Sequence, residues 1–196
     1  MKGNKNKGFT LIELIVVISI FVILLGILEP SVSSVFGFRA QKAANSIAAS
    51  LDRTKSEAMN RLVGEMKLER KSDGFYISYI LHKGKAYEVK ETQAEKIAPA
   101  SAQISYKTDE NGAEIPLNTE GKSLIITFNR ETGGFRPLQS SAVTSEEVST
   151  AVATHADIDF HDRNGEYCRE IIVKGGSQTQ TIRLMPDTGS YVVTAG

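Results

Sequence analysis

The chain has 196 residues, with Lys plus Arg and Asp plus Glu equal at 23 each. That length suits one folded domain with an appendage, and the charge balance argues against a phosphate-binding surface, so no nucleic-acid partner is evident. Cys168 is the only cysteine, which excludes an internal disulfide; within EYCREIIV it reads as a small buried hydrophobe rather than a nucleophile.

Lys2, Lys5 and Lys7 precede an apolar run, and the rest of the chain is mildly acidic. From Phe9 to Leu28 only Thr10, Glu13, Ser19 and Gly26 are not strongly apolar. As a helix this stretch is about 30 Å long, the thickness of a bilayer's hydrocarbon core. The basic residues on its amino-terminal side keep that end in the cytoplasm and put the residues after Pro30 outside. A cleaved secretory signal peptide is one reading, with small residues in SVSSVFG for the cut. An uncleaved anchor is another, in which Glu13 costs roughly 2.5–3.5 kcal/mol at mid-membrane depth. Neither reading uses the acid.

Gly8, Phe9, Thr10, Leu11, Ile12 and Glu13 stand in that order after a short basic leader and before the apolar run. In this the chain resembles the type IV prepilins and pseudopilins. The resemblance implies a cut between Gly8 and Phe9 by a prepilin peptidase on the cytoplasmic face, N-methylation of Phe9, and retention of the apolar helix in the product. It also implies partners: other pilin or pseudopilin subunits, an assembly platform protein with its ATPase, and membrane lipid. Cleavage leaves a cationic amine one helical turn from Glu13. Buried charges persist when paired, so the amine of an incoming subunit meeting Glu13 of a neighbour sets an axial register, as a polar residue does in a coiled-coil seam.

Glu29 and Pro30 interrupt the pattern, and Pro30 with Gly26 upstream predicts a kink where the helix leaves the membrane. After Phe38, Ala40, Ala44, Ile47, Leu51, Ala58 and Leu62 recur at helical spacings as one apolar stripe, with Glu57 and Arg61 placed for an i,i+4 pair. The helix is expected to reach about Val63, with Gly64 as its stop.

Beyond Gly64, turn signals at Ser72-Asp73-Gly74, Lys83-Gly84-Lys85, Asp109 to Gly112, Thr132-Gly133-Gly134, Arg163-Asn164-Gly165, Gly175-Gly176 and Pro186 to Gly189 separate short segments rich in β-branched and aromatic residues. Strands are expected at Phe75 to Leu81, Tyr87 to Val89, Gln103 to Tyr106, Leu124 to Phe128, Ile158 to Phe160, Tyr167 to Val173, Thr179 to Leu184 and Tyr191 to Val193. Residues 140–154 read as a loop or a short helix between strands. The expected fold class is α+β: a long amino-terminal helix, with a transmembrane half and an amphipathic half, packed against antiparallel sheet in a pilin-like arrangement. The expected organisation is a leader over 1–8, a membrane and filament-core half over 9–30, an amphipathic half over 31–63 and a β-rich head over 64–196. ITFNRETGGFRP, REIIV, TQTIRL and TGSYVV are similar to segments of the H-type minor pseudopilins of type II secretion. The paired cysteines of many major pilins are lacking.

HADIDFHD, from His155 to Asp162, is the best metal candidate: on a strand, His155, Asp157, Asp159 and His161 share one side. No complete ligand set accompanies it, and the solvated face of an amphipathic strand is the favoured reading. DENGAE and DRNGE read as turns rather than calcium loops. No G-x-S-x-G, G-x-x-x-x-G-K or H-E-x-x-H occurs, so the expectation is a structural protein with no enzyme activity, no metal and no cofactor. The expected role is a minor pilin or pseudopilin subunit, anchored by one pass in the cytoplasmic (inner) membrane with its head outside and then drawn into an extracellular or periplasmic filament. The alternative is an extracytoplasmic ligand-binding protein on an uncleaved anchor.

Overall fold

The computed structural model describes residues 9–83 and 87–196, with the side chains of 27–35 outside that description. The chain divides into two compact units, Met1–Val35 and Phe36–Gly196. Helix α1 (Leu11–Asn60) supplies the helical part of both. Its helical assignment runs through Pro30; the kink expected there concerns a proline ring outside the described residues. The carboxyl end of α1 carries the expected Glu57–Arg61 pair, Arg61 Nε donating to Glu57 Oε2.

In the first unit every described side chain from Phe9 to Gly26 is exposed. In the second the same residue types are buried. Ala40, Ala43, Ala44, Ile47, Leu51 and Ala58 form one covered stripe along α1, at the three- and four-residue spacings that line one face of a helix.

Against that stripe lie two antiparallel sheets. The first holds β1 (Gly64–Lys71), β2 (Gly74–His82), β3 (Val89–Glu91), β4 (Glu95–Pro99) and β7 (Ser123–Thr127), in the order β3-β2-β1-β7 with β4 also on β2. The second holds β5 (Gln103–Lys107), β6 (Ile115–Pro116), β8 (Glu170–Gly175), β9 (Gln178–Met185) and β10 (Ser190–Ala195), in the order β10-β9-β8-β5-β6. Helix α2 (Ser145–Thr154) stands between β7 and β8 in the chain. Leu68, Phe75 and Ile77 of the first sheet and Ile104, Ile171 and Ile182 of the second share one apolar core with the α1 stripe. This is an α+β, pilin-like fold.

Small residues permit the close approach. A Cβ on Gly175 of β8 would lie 2.5 Å from Phe36 O and 3.0 Å from Ala40 Cβ, so helix and strand meet there only because Gly175 lacks one. Polar ties fix the helix to the last hairpin: Lys55 Nζ donates to Thr188 O (3.0 Å) and Tyr191 Oη to Asp52 Oδ2 (2.7 Å).

Several expectations shift. α1 ends at Asn60 rather than Val63, and Gly64 opens β1 instead of capping the helix. A Cβ on Gly64 would meet Ala58 N at 2.5 Å, so what selects glycine is the tight reversal onto the helix end. β1, β4 and β6 carry no expected strand, and the strand expected at Tyr87 to Val89 is β3 over Val89–Glu91. Residues 158–160 form no strand. Residues 140–154, open between loop and helix in the sequence, contain α2.

Candidate functional site: the amino-terminal helix start

The first turn of α1 is built from the motif residues. Thr10 Oγ1 and Thr10 N–H both donate to Glu13 Oε2 (2.8 and 2.9 Å), while Glu13 N–H reaches Thr10 Oγ1 at 3.4 Å. These reciprocal bonds are those of a capping box, in which threonine and a glutamate three residues on satisfy each other's orphan donors at a helix start. Sequence reasoning missed this role of Glu13, although Thr-x-x-Glu ahead of an apolar run is its signature. The carboxylate retains its second oxygen: Oε1 makes none of these bonds, and an ionised carboxyl accepts at several positions.

Phe9 lies ahead of this turn with 87% of its surface exposed. Gly8, on the other side of the expected cleavage bond, falls outside the described residues, as does the rest of 1–8. Ser19, the other polar side chain between Leu11 and Gly26, donates from its hydroxyl to Ile15 O at 2.8 Å. So the polar groups in this part of the apolar run are bonded within the helix itself, the requirement for backbone and side chains that face hydrocarbon.

Among the described residues no helix is long and apolar enough to cross a membrane. The apolar stretch with described side chains runs from Leu11 to Gly26, about 24 Å of helix, and a span over 9–30 would draw on residues beyond it.

The other candidates disperse. Residues 155–162 do not form the strand that would align four ligands. His155 closes α2 in the left-handed conformation (φ 54°), with His155 N–H on Val152 O (3.4 Å) and Ala156 N–H on Ala151 O (2.9 Å), the two bonds of a Schellman ending. Asp159 Oδ1 accepts from His161 N–H (3.0 Å), and His161 Nε2 turns to Glu147 Oε1 (2.6 Å). Among the described residues no group of three His, Cys, Asp or Glu is arranged to hold a metal ion. In DENGAE, Asp109 closes a turn by accepting from Gly112 N–H (3.1 Å), and Glu114 receives Lys174 Nζ and Ser105 Oγ, each at 2.8 Å. In DRNGE, Asp162 Oδ1 accepts from Gly165 N–H (2.9 Å). Cys168 is buried, and loss of hydration pushes its thiol far above the usual range, which leaves it without a reactive thiolate. A cavity of about 480 Å³ lies beside Leu62, Thr127, Phe128, Arg136, Ala151 and Phe160.

Residues 3–28 match the family model described as the prokaryotic N-terminal methylation motif. No curated protein and no solved structure is found to match the chain. The match covers the amino-terminal segment and supports a type IV pilin-like or pseudopilin precursor. It implies processing by a prepilin peptidase and assembly with pilin subunits, in a family that is generally structural rather than enzymatic.

Proposed function

We propose that the chain is a minor pilin or pseudopilin subunit of a type IV pilus-like or type II secretion filament. A prepilin peptidase cuts between Gly8 and Phe9, the new Phe9 amine is methylated, and the helix over 9–30 holds the subunit in the cytoplasmic membrane with the head outside. Pro30 marks the bend where the helix leaves the lipid. An assembly platform protein then draws the subunit into the filament, where Glu13 sets its axial register against the Phe9 amine of a neighbour.

The observation that carries this reading is the helix start. An apolar face from Phe9 to Gly26 is exposed throughout, and the one acid in it is half engaged. Glu13 Oε2 serves the capping box while Oε1 remains to receive a cation. The division of labour gives a direct test. Glu13→Gln preserves a capping-box side chain and removes the charge; Thr10→Val removes the cap and leaves the charge. Recovery of subunits in sheared filaments is expected to collapse for Glu13→Gln and to fall little for Thr10→Val. The reverse order would mean that Glu13 serves only the helix.

The cavity near Phe128 and Phe160 favours a second reading, a tethered head that captures a ligand. In that case the chain keeps its leader and never enters filaments.

A further inference from the structure

Glu65 is an acid with no exposed surface in the middle of the first sheet. Its neighbours across the sheet are Ile80 on β2 and Thr127 on β7. Met66 and Leu68 face the α1 core, so by the alternation of a strand Glu65 points to the sheet's other side. There it is roofed by residues 139–162, the segment that contains α2. Val63, Ile80, Val143 and Val148 make a small apolar cluster of their own beside it.

Few polar ties hold the roof down. Val143 N–H donates to Glu65 Oε2 (3.0 Å), and Ser145 Oγ accepts from Val89 N–H (2.9 Å). Ser145 Oγ also donates to Val89 O (3.3 Å), Gln139 at the segment's start is bridged to Ile125 on β7, and Arg136 lies over the Phe160 ring. The other ties close the segment on itself: Ser140 N–H to His161 O (3.0 Å), the bridge between Gln139 and Asp162, and the Glu147–His161 contact. Among the described residues Glu65 Oε1 has no hydrogen-bond partner, and neither Oε1 nor Nε2 of the buried Gln139 has one at normal hydrogen-bonding geometry, although that amide stands beside the carboxyl. A proton on Glu65 resolves the mismatch. A carboxylic acid donates, Gln139 Oε1 accepts, and no charge is left under the roof. An ionised Glu65 can still accept from Val143 N–H and from Gln139 Nε2, but these two donors do not offset the hydration it loses under the roof.

We infer that Glu65 is a proton-operated latch: protonated, it holds segment 139–162 with α2 against the outer face of the first sheet, and ionised, it lets that segment lift. The groups that bear on it are few. From the roof come Val143 N–H and the Gln139 amide, whose hydrogen bonds favour ionisation, His161, whose charge when protonated favours it, and Glu147, whose charge opposes it. On β2, His82 lies two residues beyond Ile80 on the same face, and on β1 Lys67 follows Glu65 on that face but is tied to Glu69 and Glu91. On β7, Thr127 opposite Glu65 spends its hydroxyl on Gly64 O (2.6 Å).

The direction follows from linkage. Loss of hydration lifts the Glu65 carboxyl from 4.5 to about 7 in the closed form. The closed form therefore binds a proton that the open form releases. Closing is fully supported below about pH 4.5, and that support is lost as pH rises through about 7. Between about pH 5 and 7 opening increases about five- to sevenfold per pH unit, then levels off.

The test is hydrogen exchange by mass spectrometry on the full chain in detergent, from pH 5 to 8.5, corrected for intrinsic exchange rates. In the wild type, protection of α2 and Val143 is expected to fall about 40-fold between pH 5 and 7 and to flatten above 7.5, while β8 and β9 stay level. Glu65→Gln, neutral and of the same shape, is expected to abolish the slope, and His161→Asn to retain it. A flat wild-type profile overturns the latch, as does a slope that survives Glu65→Gln or disappears in His161→Asn. The carboxyl carbon shift of Glu65 in selectively labelled wild-type chain gives a check that needs no variant. Titration near neutral pH supports the latch, and titration near 4.5 overturns it.

Discussion

Leu11, Ile12, Leu14 and Ile15 on one side, and Ile47, Leu51, Leu68 and Ile77 on the other, are the same kinds of side chain with opposite fates. The first four keep between 51% and 78% of their surface exposed, and the second four keep 2% or less. The apolar residues themselves do not separate the two regions, since both are helix or strand rich in Leu and Ile. The difference lies in what accompanies the apolar residues. Along the second half of α1 the stripe alternates with Lys, Arg and Asp, and two sheets close over it. Along the first, apolar side chains cover the whole circumference, so no single face can be buried by the chain's own sheets. A helix apolar all round is covered by lipid or by other helices, and its polar groups are bonded accordingly, Glu13 to Thr10 and Ser19 to Ile15.

The comparison can be broken at either end. Leu51→Ala, in the shared core, is expected to destabilise the head by about 2–5 kcal/mol in chemical denaturation of the full chain in detergent. Membrane retention should be unaffected. Ile18→Arg, in the exposed run, is expected to do the opposite: insertion weakens by roughly 2.5–3.5 kcal/mol, read as protein lost from the membrane fraction, while the head's denaturation midpoint stays put. Should Ile18→Arg unfold the head, the two regions are not independent and the comparison fails. The smallest effect is at the helix start. Thr10→Val removes the cap of α1, worth about 0.5–2 kcal/mol locally, and is expected to speed amide exchange at residues 11–14 only.

What the sequence made legible follows the same division. The amino-terminal signature is linear, and the apolar stripe from Ala40 to Ala58 and the strands around Ile104, Ile126, Ile171 and Ile182 show their periods without help from the fold. The β1 strand was hidden because GEMKLERK offers only Met66 and Leu68 as apolar members, amid residues of low strand preference. Its stability comes from β2 and β7 on either side, which no local pattern reports. The expected strand at Ile158 to Phe160 failed for the converse reason: its alternation of polar and apolar residues is genuine, but Asp159 and His161 engage in a turn and a contact to α2 that bend the chain away from a ladder. Both capping boxes, Thr10 with Glu13 and Thr144 with Glu147, were readable as Thr-x-x-Glu and went unrecognised. Glu65 was beyond reach, because its Val143 partner is 78 residues away in the chain.

The central claim is that this apolar helix start is made to be exposed by cleavage and joined to other subunits. The mass of the mature protein, isolated from its native membranes or filaments, tests that most directly. The account predicts a chain that begins at Phe9 with one added methyl group on its amine, residues 1–8 gone and the helix retained. A chain that still begins at Met1, or one whose terminus lies beyond Pro30, would contradict it.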